Sequence, residues 1–201
     1  MCGPAMPEPA PSEDARTENL ARAARRGDVE SFRRLYERIA PSLYAWVRLR
    51  MPPLLREHLE VEDVLQEVWC RGLAALERFD PDQRKFRHWI FRVAKNVMLE
   101  ALRRAQRMER LQGAQGDTGR LRALEQIPDE VTTVTRRLVR DETLQDFLRR
   151  VETLDAHERE LVVYCGLEEL PYREVAMRLG IEREAVAKRW QRLRRRLRVP
   201  V

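Results

Sequence analysis

Apolar positions recur three and four residues apart along most of this chain, a period that predicts helices rather than strands. In SLYAWVRLRM, Leu43, Trp46, Val47 and Met51 fall on one side of such a helix. The stripe in VEDVLQEVWCRGLAALERF is Val61, Val64, Leu65, Val68, Leu73 and Leu76. In FRHWIFRVAKNVMLEALRRAQR it is Phe86, Ile90, Val93, Ala94, Val97 and Ala101. An earlier helical pattern begins at Thr17, is punctuated by Gly27-Asp28, and resumes as SFRRLYERIA with Asp28 as its cap. Pro41 is expected to start another turn, MPPLLREHLE to be a connection, and Asp80-Pro81 to end a helix before the polar loop DPDQRK.

These patterns divide the chain. Residues 1–16, MCGPAMPEPAPSEDAR, are rich in proline and small residues and are expected to form a disordered tail. Residues 17–107 read as a compact helical domain. Residues 108–140, with the glycines of LQGAQGDTGR, then Pro128 and VTTVT, read as a flexible linker. Helical periodicity from Asp141 onward predicts a second, smaller helical domain over 141–198. The fold class is therefore all-α, with two small helical domains and no internal repeat.

Composition sharpens this picture. Charged residues make up 36% of 201 positions and only eight are glycine, which suits surface helices around a real core. The net charge of +6 is unevenly placed, and the placement carries the information. Cys2, Cys70 and Cys165 show no paired spacing, so reduced thiols are expected rather than a disulfide framework or a zinc site. No apolar run approaches the length of a membrane span and no signal core is present, which predicts a cytoplasmic protein without a membrane partner. With the sequence ending at Val201, no added C-terminal sensing domain is expected.

In YREVAMRLGIEREAVAKRWQ, small Ala176 suits a close helix contact, Gly180 the end of a helix, and Val186 the anchor of the next. Val175, Leu179, Ile181 and Trp190 fill the core between them. This spacing fits a helix-turn-helix unit. From Ala187 to Arg198 there are seven basic residues and no acid, so the second helix gains from an anionic partner. Arg183, Glu184, Ala187, Lys188 and Gln191 are placed to reach base edges. Arg189, Arg192 and the later arginines are better placed for phosphates. The bland alternative is an antiparallel helix pair with a charged face.

The front domain carries two further signals. Between Glu57 and Glu67 lie five acids and no lysine or arginine, a surface that repels nucleic acid and suits a protein partner. Between Arg84 and Arg110 lie nine basic residues against two acids, interleaved with Phe86, Trp89 and Phe91. Arginines beside aromatic pockets can hold an exposed strand and an extruded base.

The front segment VEDVLQEVWCRGLAALERFDPDQRKFRHWIFRVAKNVMLEALRR closely resembles region 2 of the extracytoplasmic-function sigma factors, small members of the sigma-70 family. The matching features are an acidic E-D-[LV]-x-Q-E segment, an R-F-D-P loop, and F-R-x-W-[LI]-[FY]-R-[IV]-A-x-N, in that order. The helix-turn-helix resembles their region 4. The resemblance implies that Asp63, Gln66 and Glu67 dock on a coiled coil of the RNA polymerase β′ subunit. It implies that the loop from Phe79 to Lys85, with Trp89, Arg92, Lys95 and Asn96, reads the −10 element and traps a flipped base. The rear domain would read −35. Promoter DNA, core polymerase and an anti-sigma factor are the implied partners; no cofactor, metal, small-molecule substrate or catalysis is implied. The chain departs from the pattern at Glu182, where a serine or threonine cap is common, at Ala185 and Ala187, and in its extended MPPLLREHLE connection. A stand-alone regulator would leave the acidic patch unexplained. A nuclease would need clustered metal-binding carboxylates; Asp80 and Asp82 read as turn residues instead.

Overall fold

The computed structural model describes residues 13–112 and 129–197, and among these every regular element is helical. Helix α1 (Glu13–Arg25) packs along α2 (Val29–Arg50). The last residues of the expected tail thus form the first turn of α1, while residues 1–12, including Cys2, lie outside the described residues. Gly27 turns the chain with φ of +88°, and the Asp28 carboxylate accepts from the backbone N–H groups of Glu30 and Ser31, capping α2 as the sequence predicts.

Pro41 does not start a new turn. It sits inside the continuous, 22-residue α2. An interior proline costs a helix about 3 kcal/mol. Burial outweighs it here. Leu35, Ile39, Leu43 and Val47 are all fully buried on the same helix, and each is worth roughly 1.5–3 kcal/mol.

A four-residue helix, α3 (Pro53–Arg56), occupies the segment read as a connection, and Arg56 ties it back by donating to the carbonyls of Met51 and Arg48. Helix α4 (Val61–Ala75) runs on into a 3₁₀ turn over Leu76–Arg78. Its expected stripe is buried except at Leu73, which is 40% exposed. Trp69 takes the inner position, edge-on to Tyr36 with ring centroids 4.3 Å apart. The long α5 (Phe86–Gln112) lies across α4, and its first N–H, at Phe86, is capped from outside by the Glu18 carboxylate of α1 at 2.8 Å.

The stretch read as a linker is helical at both ends. Helix α5 extends to Gln112, and α6 (Asp129–Val139) packs on α2 and α4. The middle, 113–128, lies outside the described residues. The rear body comprises α7 (Glu142–Glu152), α8 (Ala156–Leu161) continuing as a π turn over Val162–Leu167, α9 (Tyr172–Leu179) and α10 (Arg183–Leu197). The π turn closes with Glu168 N–H to Val163 O, and Leu170 N–H reaches Tyr164 O across Glu169, whose φ is +54°.

Front and rear bodies share one apolar cluster. Across their boundary the Trp46 indole N–H donates to Glu168 at 2.7 Å in a buried setting. The guanidiniums of Arg50 and Arg178 both lie over the Tyr164 ring, 5.2 and 5.1 Å from its centroid. Arg87, at the start of α5, donates to the Leu167 carbonyl at 2.8 Å and pairs with Glu169 at 3.1 Å.

Candidate nucleic-acid and polymerase interfaces

Helix α5 divides its residues by period. Phe86, Ile90, Phe91 and Ala94 are buried, so both phenylalanines of the basic stretch belong to the core. Arg92, Lys95 and Asn96 are exposed on the outer side. Trp89 stands between the two sets, half-buried, with its ring 5.1 Å from Phe79 and 5.4 Å from Phe86. Gly72 of α4 lies beneath it: a Cβ there would meet the Trp89 ring at 3.9 Å and Ile90 at 2.8 Å. The ring is thereby braced on one side by phenylalanines, a rigid platform beside three polar side chains.

The loop preceding α5 is fixed by its acids. Asp80 accepts from the Asp82 N–H at 3.0 Å, the turn role expected of it. Asp82 in turn pairs with Arg22 of α1 at 2.7 Å, and Arg25 donates to the Glu77 carbonyl. Phe79 is buried; Arg84 and Lys85 are exposed.

On α4, Asp63, Gln66 and Glu67 fall at helical spacing on one side. Asp63 is exposed and accepts from the Glu60 N–H at 3.1 Å, so it also closes the helix start. Glu67 is half-buried and pairs with Arg71 at 2.5 Å, and Arg71 reaches Glu100 of α5 at 2.6 Å. This hydrogen bond from Arg71 holds the Glu100 carboxyl below the usual range. The acidic segment is therefore in part an internal bracket between α4 and α5, which residue counting along the sequence does not reveal.

The rear unit is a helix-turn-helix. Gly180 ends α9 in the left-handed region, φ 64°, and its N–H and that of Ile181 bond the Ala176 carbonyl. Val175 and Val186 are fully buried, and Val186, Trp190, Leu193 and Leu197 form the inner stripe of α10. Arg183, Glu184, Lys188, Arg189, Gln191 and Arg192 are exposed, and Ala187 is half-buried between them. Among the described residues no ion pair occupies Arg183, Lys188, Arg189 or Arg192. Among the described terminal arginines, Arg196 alone forms an ion pair, with Glu158 at 2.5 Å. Arg198 lies outside the described residues.

No helix among the described residues is long and apolar enough to cross a membrane, and no group of metal-binding side chains is present among them.

The two bodies match two family models: Sigma-70 region 2 over residues 35–108, and Sigma-70, region 4 over residues 144–197. The chain belongs to the sigma-70 family of RNA polymerase sigma factors, in its extracytoplasmic-function group, and is a factor that directs transcription initiation at promoters. It is 30% identical over 180 residues to RNA polymerase sigma factor NccH of Alcaligenes xylosoxydans xylosoxydans, covering 90% of this chain and 91% of that one. It is 28% identical over 178 residues to RNA polymerase sigma factor CnrH of Cupriavidus metallidurans, covering 89% and 90%. Against ECF RNA polymerase sigma factor BldN of Streptomyces coelicolor it is 24% identical, covering 88% of this chain and 62% of the relative. The solved structure of CnrH in complex with the cytosolic domain of CnrY is 27% identical, covers 90% of this chain and 94% of that one, and has a TM-score of 0.44.

Proposed function

We propose that the three surfaces divide the work of initiation. Asp63, Gln66 and Glu67 on α4 meet the β′ coiled coil of core polymerase; an acidic face on a basic protein favours a protein partner over DNA. Trp89, Arg92, Lys95 and Asn96 on α5, with the loop from Phe79 to Lys85, take the −10 element. There the tryptophan platform stacks an unpaired base while the cations neutralise the strand. Arg183, Glu184, Ala187, Lys188 and Gln191 on α10 face the −35 base edges, and Arg189 and Arg192 its phosphates. Strand opening then draws on binding energy alone. The relative CnrH is found with the cytosolic domain of CnrY, and a protein regulator of the anti-sigma kind is proposed as a third partner.

The observation that carries this reading is the exposed row of Arg92, Lys95 and Asn96 beside a braced, half-buried Trp89. Its test is transcription from a promoter library by core polymerase, with and without the purified chain, followed by sequencing of transcript starts. Starts downstream of one shared motif, present only with the chain, support the reading; an unchanged start profile overturns it.

A further inference from the structure

Leu99 is 41% exposed and stands in the middle of the outward face of α5. Helical spacing puts Lys95 and Asn96 one turn before it, Arg92 two turns before it and Arg103 one turn after it, and all four are exposed. Glu100 is the one acid between Arg92 and Met108. Its carboxylate is held by Arg71 of α4 at 2.6 Å, so it does little to offset the cations around Leu99. A single large apolar side chain is thus ringed by cations and one amide.

Each part of that arrangement selects a partner. The cations favour a polyanion. A leucine offers a phosphate no hydrogen bond, and phosphate contacts fix register without reading sequence. What leucine gains from is apolar surface, and the major groove of a duplex presents one such group, the C5-methyl of thymine. That groove is wide enough to admit an α-helix, which sets the flanking phosphates beside Arg92, Lys95 and Arg103. Trp89 and Leu99 are ten residues apart on one helix, ~15 Å along its axis, or about five base pairs at most. One helix can therefore hold an unpaired base near its start and touch paired bases further along.

We propose that Leu99 is a specificity-determining residue that recognises a thymine methyl in the duplex edge of the −10 element. The proposal rests on the reading of α5 as the −10 helix and adds a base contact to it. Arg92, Lys95 and Arg103 set the register on the phosphates. Leu99 then favours thymine at one position, within about five base pairs of the base on Trp89.

The test uses core polymerase with the full parent chain or with Leu99→Ala, on the promoter duplex recovered from the library. Thymines of the −10 element and its flanks, on both strands, are replaced one at a time by deoxyuridine, which lacks only the methyl group. Anisotropy of the fluorescein-labelled duplex gives each affinity. At one thymine the parent should lose about fourfold, the worth of one buried methyl, while Leu99→Ala loses nothing further. On the unsubstituted duplex Leu99→Ala should bind about fourfold more weakly than the parent. Leu99→Lys repeats the comparison with an added cation; a plain surface position would leave its deoxyuridine losses as in the parent, whereas the proposal removes the loss at that one thymine. Equal losses in parent and Leu99→Ala at every thymine overturn the proposal. So does a Leu99→Ala chain whose only defect is weaker binding to core polymerase, which would make Leu99 a protein contact. Failure of the sigma reading appears separately, as a parent chain that gives no promoter-directed transcripts with core polymerase.

Discussion

The Tyr36 hydroxyl and the Thr135 hydroxyl share a buried hydrogen bond of 2.5 Å, between residues 99 positions apart. This bond fastens α6 to the centre of the front body, so the stretch leading to the rear body begins from a docked helix. Tyr36→Phe and Thr135→Val should each lower stability by about 1 kcal/mol. The double variant should lose less than the two together, and denaturant unfolding of all four proteins measures the coupling. Additive losses would show that the two hydroxyls do not support one another.

Burial pushes the Tyr36 phenol up to about 12, opposed by its bond to Thr135. A group whose folded pKa lies above its unfolded value of 10 contributes stability that is fully present below 10 and is lost as pH rises through 12. Stability of the parent should therefore fall between pH 10 and 12. In Tyr36→Phe that decline should be shallower, and unfolding curves across the window compare the two.

Burial also pushes the Cys165 thiol up to about 12 from 9.0. Its thiolate fraction near pH 8.5 should be about a thousandfold below that of an ordinary cysteine. Iodoacetamide mapped by mass spectrometry should leave Cys165 unmodified in the folded chain and alkylate it in denaturant. Rapid modification under native conditions would place the thiol in water.

Gly166 lies where a Cβ would approach the Trp190 ring at 2.8 and 3.3 Å. An indole cannot flex away as an alkyl tip does, so Gly166→Ala must shift Trp190 and with it α10. A loss of about 1–3 kcal/mol is expected, with weaker duplex binding. Gel shifts on the promoter duplex recovered from the library measure the second effect.

The double duty of Asp63 can be separated. Asp63→Asn keeps a side-chain oxygen for the Glu60 N–H and removes the charge. Thermal stability should stay near that of the parent, while affinity for core polymerase drops about tenfold, or ~1.4 kcal/mol. Competition for core against labelled parent chain gives the ratio. In parallel, Arg192→Ala should reduce the slope of log affinity against log salt by about 1, with little change in sequence preference.

Period and punctuation made most of the helices legible. Asp28, Gly180 and the Val186–Trp190 stripe do in the structure what their residue types suggest. What local reasoning missed depends on partners far along the chain. Pro41 is overruled by the burial of its own helix's Leu35, Ile39, Leu43 and Val47 against the rest of the core, and Leu73 is displaced by Trp69 because Tyr36 and Phe32 offer an aromatic pocket. Helix α6 was hidden because VTTVT reads as loop until Tyr36 and the α4 surface give it something to cover. At the candidate site, the exposed cations followed from sequence. The bracket of Arg71 with Glu67 and Glu100 did not, nor did the engagement of Arg87 and Glu168, since each joins segments that no short-range pattern relates.

The π turn at Val162–Leu167 holds one more residue per turn than the α-helix it continues. Each residue advances a helix by about 100°, so that surplus fixes the azimuth at which everything downstream emerges. The docking angle of the rear body is accordingly a matter of residue count. Excising one position, such as Cys165, would rotate Glu168 and Glu169 off Trp46 and Arg87, and α9 and α10 with them.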